Sequence, residues 1–265
     1  MIYSTIVWLG SNFFEYPSNR LNCFIFGERK TMNVVITGAS RGIGFELAKK
    51  FAKDASNQVI AIARSKEKLD NLKSEILAQN SKSSIFCIDF DLNSGNFQKA
   101  LLPFILEKFK NVGILINNAG LLVNKPFSTL TDDDFDTLFS VNVKSAFKLT
   151  RDFLPYFSAN SHIVNITSMG GVQGSAKFPG LSLYSSSKGA LGILTECLAE
   201  ELKERKISVN ALAIGAVQTE MLAEAFPGYE APLSAVEMAV FIYDFALNGN
   251  KFFNGKILPV SSSTP

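Results

Sequence analysis

Histidine is almost missing from this chain, because His162 is the only one among 265 residues. A metal site built from several histidines is therefore excluded. A Ser-His-Asp hydrolase would depend on His162 itself, which stands just before the apolar run Ile163 to Ile166. That position is typical of a residue at the entry to a buried strand, so hydrolase chemistry is not expected.

Cysteine is also scarce. The three cysteines, Cys23, Cys87 and Cys197, are an odd number and do not have the spacing of metal ligands. This pattern favours a reducing, cytoplasmic compartment over a disulfide framework, and no metal site is predicted.

Long apolar runs and charge of one sign are lacking as well. No run approaches the ~20 apolar residues of a membrane span, and no basic segment precedes an apolar core as in a secretory signal. The net charge is +2, without a basic stripe, which argues against nucleic acid and an anionic membrane as partners. Apolar residues make up 47% and charged residues 19%, as in a globular chain of one large core.

The first 31 residues have no clean helical or strand period, although they are rich in aromatic side chains. Met32 stands directly before the apolar run 33–36, where the first strand is predicted. We therefore expect Met32 to be the native start, residues 1–31 to come from an upstream start, and the domain to span 32–265. The alternative is a real extension that packs its aromatic side chains on the domain or on a partner.

From residue 33 the chain alternates short apolar runs with segments whose apolar residues recur every three or four positions, such as 46–53 and 66–79. The apolar runs are 34–36, 59–62, 85–88, 114–116, 163–166, 208–212 and 256–258. Such alternation predicts an α/β fold with one doubly wound parallel sheet of about seven strands and helices on both faces. In that fold, ligands bind at the carboxyl ends of the strands.

A glycine-rich turn joins the first predicted strand to the helix Phe45 to Lys53. Glycine lets the backbone turn tightly and approach a pyrophosphate, which rests on the helix N-terminus. The strand before and the helix after predict a dinucleotide site. Its candidate residues are Thr37, Gly38, Ser40, Arg41, Gly42, Ile43 and Gly44.

Tyr184 and Lys188 are four residues apart in a segment predicted to be helical to about Lys206, so their side chains share one face. A nearby ammonium favours the phenolate form of tyrosine. Lowering the phenol pKa from ~10 to ~7 would need roughly 4 kcal/mol, which one close charge pair in a partly dry site can supply. Taken alone, Tyr184 and Lys188 are equally compatible with a helix face that is exposed to solvent and has no catalytic role.

Four motifs in order resemble the short-chain dehydrogenase/reductase family, from Met32 to about Val260. They are Thr-Gly-x-x-x-Gly-x-Gly at 37–44, Asn117-Asn118-Ala119-Gly120, Ser168 after the fifth strand, and Tyr184-x-x-x-Lys188. The resemblance implies a Rossmann fold and reversible hydride transfer between a nicotinamide cofactor and a carbonyl or alcohol. It also implies a homodimer or homotetramer formed through the helices that carry Asn142 and Tyr184.

The resemblance implies four catalytic residues. Tyr184 would protonate the growing alkoxide, Lys188 would lower the phenol pKa and hold the nicotinamide ribose, and Ser168 would bind the substrate oxygen. Asn142 would hold a water in a proton relay, and a buried structural asparagine is the competing interpretation. Further cofactor contacts are expected from Asp91, Leu92, Asn118, Ala119, Gly120, Gly215, Val217 and Thr219.

Charge at the end of the second strand favours NADP(H) over NAD(H). The sequence there contains Arg64 and lacks an acidic residue for the ribose 2′-hydroxyl, and Arg41 would flank the same position. Two guanidinium groups suit a 2′-phosphate. The alternative is that both arginines are solvated loop charges.

Several segments depart from the family pattern. Ile214 occupies a position where proline is usual, and the segment 253–261 lacks the Asp-Gly-Gly common after the last strand. The interval from Ser168 to Tyr184 is long for the family, which predicts an insertion in 174–180 beside the substrate mouth. Residues 220–233 are expected to form a substrate lid, in which Met221, Leu222, Phe226 and Tyr229 suit a partly hydrophobic substrate or simply lid packing.

The sequence thus predicts an NADP(H)-dependent oxidoreductase that interconverts a small-molecule carbonyl and an alcohol. A 3-oxoacyl thioester and a small ketone or aldehyde stay open as substrates. One rival is a non-catalytic NADP-binding regulator, which would have no need for Ser168, Tyr184 and Lys188 together. A methyltransferase shares the glycine-rich turn but has no use for Tyr184 and Lys188.

Overall fold

A computed structural model describes residues 31–261. The predicted extension 1–31, apart from Thr31, lies outside the described residues, as do the last four residues of the predicted domain. The described strands are β1 Asn33–Thr37, β2 Gln58–Ala63, β3 Ser84–Asp89, β4 Val112–Asn117, β5 Phe157–Ser168, β6 Ser208–Ile214, β7 Val217–Gln218, β8 Leu233–Ser234 and β9 Ile257–Val260. The described α-helices are α1 Gly42–Ala52, α2 Lys66–Gln79, α3 Leu102–Lys108, α4 Asp132–Phe139, α5 Ser145–Phe153, α6 Ser182–Glu201, α7 Glu220–Ala225 and α8 Ala235–Asn248.

Seven strands form one parallel sheet in the order β3-β2-β1-β4-β5-β6-β9. The order reverses between β1 and β4, which places the topological switch point beside the carboxyl end of β1. The separate β7–β8 pair follows β6. The predicted doubly wound sheet is confirmed, and each of the seven apolar runs contributes to one of its strands.

The apolar runs form strands because both faces of the sheet are covered. Val34 and Ile36 pack on one face with α1, α2 and α8, whereas Val35 packs on the other with α3, α5 and α6. All three side chains are fully buried. The two cores clamp the central strands, so the loops at their carboxyl ends are held in fixed relative positions.

The helix boundaries differ from the predictions at two ends. Helix α1 begins at Gly42 rather than Phe45, so the last part of the glycine-rich turn is its first turn. Helix α6 ends at Glu201, and a 3-10 turn over Lys203–Arg205 leads to Lys206 in the left-handed conformation, with φ of 56°. Helix α2 spans the predicted residues 66–79, with the Ser65 hydroxyl capping its first turn.

His162 is buried within β5, where its ring joins this strand to helix α8 and to β6. Its Nδ1 lies 3.0 Å from the carbonyl oxygen of Ala246, which can only accept, so Nδ1 carries the proton. Its Nε2 accepts from the Asn210 side-chain amide at 3.0 Å, and that amide also donates to the carbonyl of Phe253. Burial lowers the pKa of His162 to about 4. The residue is a structural hydrogen-bonding group within the strand.

The neutral His162 predicts a loss of stability in acid. Its pKa is depressed in the folded protein, so the unfolded chain takes up a proton first as the pH falls from about 6.5 to about 4. This linkage lowers the unfolding free energy by about 3 kcal/mol over that window. Denaturant titrations of the wild type and His162→Asn between pH 7.5 and 4 should diverge by this amount, whereas parallel stability profiles would contradict the assignment.

Within residues 31–261, no helix combines the length and apolar character needed to cross a membrane.

Candidate active site

A cleft opens at the carboxyl ends of β1, β4, β5 and β6. Seventeen of the predicted site residues line it, from the glycine-rich turn at one end to Tyr184 at the other. They are Gly38, Ser40, Arg41, Gly42, Ile43, Arg64, Asp91, Leu92, Asn118, Ala119, Gly120, Ser168, Tyr184, Lys188, Gly215, Val217 and Thr219. Thr37, Gly44 and Asn142 lie behind its wall instead. Residues far apart in sequence thus meet at the switch point of the sheet, where ligands of this fold bind.

The glycine-rich turn is packed tightly against the loop after β4. A Cβ atom added to Gly44 would lie 2.3 Å from the carbonyl oxygen of Gly38 and 2.5 Å from the Asn118 side-chain nitrogen. That nitrogen donates to the carbonyl oxygens of Thr37 and Gly38 at 3.0 and 3.2 Å. Only glycine allows this approach at position 44, which fixes the turn at the start of α1.

Thr37 anchors the same two loops from inside the sheet. Its hydroxyl accepts from the backbone N–H groups of Asn118 and Ala119 at 3.1 and 3.0 Å, and donates to the carbonyl of Ile116 at 3.4 Å. Thr37 is buried. Its part in the site is therefore to hold the loop that carries Asn118, Ala119 and Gly120.

This end of the cleft suits a dinucleotide. Within the described part of the chain, no side chain caps the first turn of α1, so its N–H groups are available to a phosphate. Arg41 and Arg64 add positive charge nearby, and Asp91 and Leu92 line the end beyond β3. The chemistry of these groups fits a pyrophosphate and a further phosphate.

The Asp91 carboxylate organises its own turn. It accepts from the Asn93 N–H at 2.9 Å and the Ser94 hydroxyl at 2.6 Å. These hydrogen bonds lower the pKa of Asp91, to which the charge of Arg64 also contributes. The predicted adenine contact stays a prediction. The neighbouring Phe90, buried and packed edge-on to Phe97, forms part of the cleft wall that the sequence did not indicate.

The opposite wall brings Ser168 to Tyr184. A 3-10 turn, Met169–Gly171, follows β5 and packs on α6 at Gly189. A Cβ atom on Gly171 would lie 2.6 Å from the backbone nitrogen of Gly189, so the two glycines permit this approach. The Ser168 hydroxyl accepts from the backbone N–H of Gly170 at 3.2 Å and lies near enough to the phenol of Tyr184 to act on its pKa. The close turn explains how residues on β5 and α6 share one point of the cleft.

The predicted lowering of the Tyr184 pKa by Lys188 is wrong for this structure. Burial of the phenol raises the pKa of Tyr184, and the nearby Ser168 hydroxyl acts in the opposite direction. Lys188 Nζ lies 5.9 Å from the centre of the Tyr184 ring and donates to the carbonyl of Ile166 at 2.9 Å. The spacing i, i+4 correctly predicted a shared helix face but not the direction of the ammonium group. The phenol is protonated at neutral pH.

The side chain of Lys188 extends from α6 towards the loop after β4. It is 4% exposed, and burial lowers the pKa of Lys188 to about 8. A Cβ atom on Gly120 would lie 3.2 Å from its Nζ, so this glycine keeps the loop close to the ammonium group. The backbone of Lys188 is fixed by Thr167, whose hydroxyl donates to its carbonyl at 2.6 Å. Lys188 thus lines the cleft, and with a pKa of about 8 it is mostly charged at neutral pH.

Asn142 supports the cleft from behind. It lies in a π-helical turn, Ser140–Lys144, between α4 and α5. Its side chain accepts from the N–H of Leu121 at 2.7 Å and donates to the carbonyl of Leu121 and the hydroxyl of Ser187, both at 2.9 Å. These contacts agree with the buried structural asparagine considered as the alternative. The water relay stays a prediction.

The expected lid is helix α7 with the segment after it. Met221 and Leu222 line the cleft, whereas Phe226 and Tyr229 do not. The Asn124 side chain donates to the carbonyl of Ala225 at 3.0 Å and ties the end of α7 to the loop after β4. Ile214, in place of the usual proline, ends β6 and also lines the cleft.

The insertion predicted in 174–180, and its place beside the substrate mouth, stay predictions. Residues 174–180 are absent from the cleft lining within the described chain. The carbonyl of Gly180 accepts from the N–H of Lys125 at 3.1 Å, next to Asn124, which holds α7. The segment 174–180 is therefore linked to helix α7 through residues 124–125.

Comparison with known proteins agrees with this geometry. A sequence profile of short chain dehydrogenases matches residues 32–230. The chain belongs to this family of oxidoreductases. It is 30% identical over 191 residues to a 3-oxoacyl-(acyl-carrier-protein) reductase of Staphylococcus epidermidis, covering 71% of this chain and 76% of that protein.

Two solved structures share the fold. A short chain dehydrogenase from Burkholderia cenocepacia in complex with NADP has a TM-score of 0.79 and 26% identity, covering 89% of this chain and 99% of that chain. A 3-ketoacyl-(acyl-carrier-protein) reductase from Brucella melitensis complexed with NADH has a TM-score of 0.77 and 27% identity, covering 88% of this chain and 98% of that chain.

Proposed function

We propose that this protein is an NADPH-dependent reductase of carbonyl compounds that also runs in the reverse direction with NADP. The observation that carries the proposal is the meeting of Ser168, Tyr184 and Lys188 in one wall of a cleft whose other end carries an uncapped helix N-terminus. A protein that only held the dinucleotide would need the second feature and not the first.

The cofactor would lie along the switch point. The N-terminus of α1 would receive the pyrophosphate, and Lys188, beside Gly120, would hold the nicotinamide ribose. Bound NADPH supplies a hydride to the carbonyl carbon, which the side chains of this chain cannot do.

Ser168 and Tyr184 would act on the substrate oxygen. The Ser168 hydroxyl would donate a hydrogen bond to the carbonyl, and the Tyr184 phenol would transfer its proton as negative charge develops there. The raised pKa of Tyr184 keeps the phenol protonated, which is the form that reduction needs.

A preference for NADPH is supported by charge at the end of β2. Ala63 and Arg64 stand where an acidic residue would bind the ribose 2′-hydroxyl of NADH, and Arg41 faces the same end of the cleft. The sequence relatives and structures bear on the cofactor class rather than on this choice, because one neighbour holds NADP and another NADH.

The substrate end is mostly apolar. Its proposed lining is Leu121, Leu122, Val141, Met221 and Leu222, all of which line the cleft. These side chains suit the carbon chain of a ketone or of a 3-oxoacyl thioester, and the Staphylococcus epidermidis relative favours the thioester. Assembly as a homodimer or homotetramer stays a prediction, with which the exposed Phe147 and Ile193 on helices α5 and α6 are compatible.

An NADPH oxidation screen across ketones, aldehydes and acyl thioesters tests the function. We expect turnover with at least one class and a higher kcat/KM with NADPH than with NADH. Arg64→Ala should lower kcat/KM for NADPH about tenfold and change kcat/KM for NADH little. The reason is that only NADPH carries the 2′-phosphate, with which Arg64 would form a charge-assisted hydrogen bond. If the protein binds NADPH tightly but oxidises it with none of the carbonyl compounds, the non-catalytic regulator is indicated instead.

A further inference from the structure

We infer that Glu224 limits the preference of the cleft for NADPH, because its carboxylate competes with the 2′-phosphate for the guanidinium group of Arg41. The inference rests on the proposed function, since it concerns which of two nicotinamide dinucleotides the cleft prefers. It adds a specificity-determining residue on the lid helix, 183 positions away from its partner.

Arg41 and Glu224 form a two-pronged ion pair between the glycine-rich turn and α7. One guanidinium nitrogen contacts Glu224 Oε1, and the other donates to Oε2 at 3.2 Å. The planar fork of arginine matches a carboxylate and a phosphate equally well. The same two nitrogens cannot serve both anions, so a phosphate that uses this fork must displace Glu224.

The charges at the pair oppose a second anion. The hydrogen bond from Arg41 lowers the pKa of Glu224, and the charge of Lys68 contributes in the same direction. Glu224 is therefore ionised at neutral pH and would repel a phosphate placed beside Arg41. NADH carries a hydroxyl group at that position, so its binding does not require Arg41 to change partner.

The lid helix has a second attachment that does not involve Arg41. Its last residue, Ala225, accepts from the Asn124 side chain at 3.0 Å. Glu224 itself is 63% exposed, so loss of its charge costs the fold little. Glu224→Gln is thus expected to fold with α7 in place, and its effect reports on competition for Arg41.

Binding titrations on the full chain test the inference without relying on turnover. NADPH and NADH would be compared by calorimetry, together with adenosine 2′,5′-bisphosphate and AMP, which isolate the 2′-phosphate from the nicotinamide end. Glu224→Gln should tighten NADPH and the bisphosphate about fivefold, as expected for an exposed pair, and change NADH and AMP less than about twofold.

A double-mutant cycle assigns the effect to the pair. In an Arg41→Ala background, Glu224→Gln should tighten NADPH much less than in the wild type, because the competition for Arg41 is gone and only the direct repulsion between carboxylate and phosphate remains. Glu220→Gln is the matched control, since Glu220 acts on Arg41 only through its charge and should have a smaller effect.

The outcomes separate two failures. If the wild type binds both dinucleotides and Glu224→Gln leaves the ratio of their Kd values unchanged, the inference is overturned and the proposed function stands. An equal gain for NADPH in the Arg41→Ala background would also overturn it. If the wild type binds neither dinucleotide, the proposed function fails, and this inference fails with it.

Discussion

Tyr184→Phe is expected to lower kcat for carbonyl reduction by about 10²- to 10⁴-fold while the Kd for NADPH stays nearly constant. The variant loses only the hydroxyl group that would donate the proton, and the ring can keep its place in the cleft wall. Steady-state rates on the best carbonyl from the screen, with a fluorescence titration of NADPH, measure both quantities.

The matched control is Tyr156→Phe, which removes a phenol hydroxyl from a tyrosine that is not in the cleft lining of the described chain. It should keep the wild-type rate. If Tyr184→Phe also kept most of the rate, Tyr184 would not be the proton donor. A fall in rate matched by an equal loss of NADPH affinity would assign the residue to cofactor binding instead.

Gly44→Ala is expected to destabilise the fold by about 3 kcal/mol and to weaken NADPH binding at least tenfold. Its methyl group would stand 2.3 Å from the carbonyl oxygen of Gly38 and 2.5 Å from the Asn118 amide nitrogen. The turn and the loop after β4 would have to separate, which would move the N-terminus of α1 away from the position proposed for the pyrophosphate. Denaturant unfolding and NADPH titration report the two effects separately.

Gly113→Ala provides the control for adding a methyl group. The nearest atom to its added Cβ would be Met32 Cε at 3.4 Å, which is an ordinary contact. It should change the unfolding free energy by less than about 1 kcal/mol and leave NADPH binding intact. Wild-type stability and affinity in Gly44→Ala would mean that the turn is not the rigid cradle described above.

The sheet could be predicted from sequence because its strands are short apolar runs, and only a buried strand accounts for such a run. A run such as Val34 to Ile36 is too short for a helix and too apolar for a surface strand, so a strand covered on both faces is what remains. Helix ends were less predictable. The end of α6 depends on the left-handed backbone at Lys206, and the spacing of apolar residues does not predict that conformation.

Much of the candidate site could be predicted because family motifs place residues at strand ends, where the parallel sheet gathers them. The direction of each side chain could not. Lys188 donates to the carbonyl of Ile166, and Asn142 to that of Leu121, because their partners lie on other elements that sequence spacing does not relate to them.

Contacts across the fold were also hidden from the sequence. Glu224 is a charged residue on a short helix, and nothing near it in sequence indicates a pairing with Arg41. Gly171 and Gly189 each suit an ordinary turn or helix position, and their importance follows only from their mutual approach.

The central claim is that this cleft directs a hydride from the nicotinamide ring to a carbonyl carbon. Its most direct test uses NADPH that carries deuterium on one face of the nicotinamide C4, followed by mass spectrometry of the alcohol formed. We expect one deuterium on the carbinol carbon from one labelled face and none from the other. Oxidation of NADPH with no deuterium in the alcohol from either face would contradict the account.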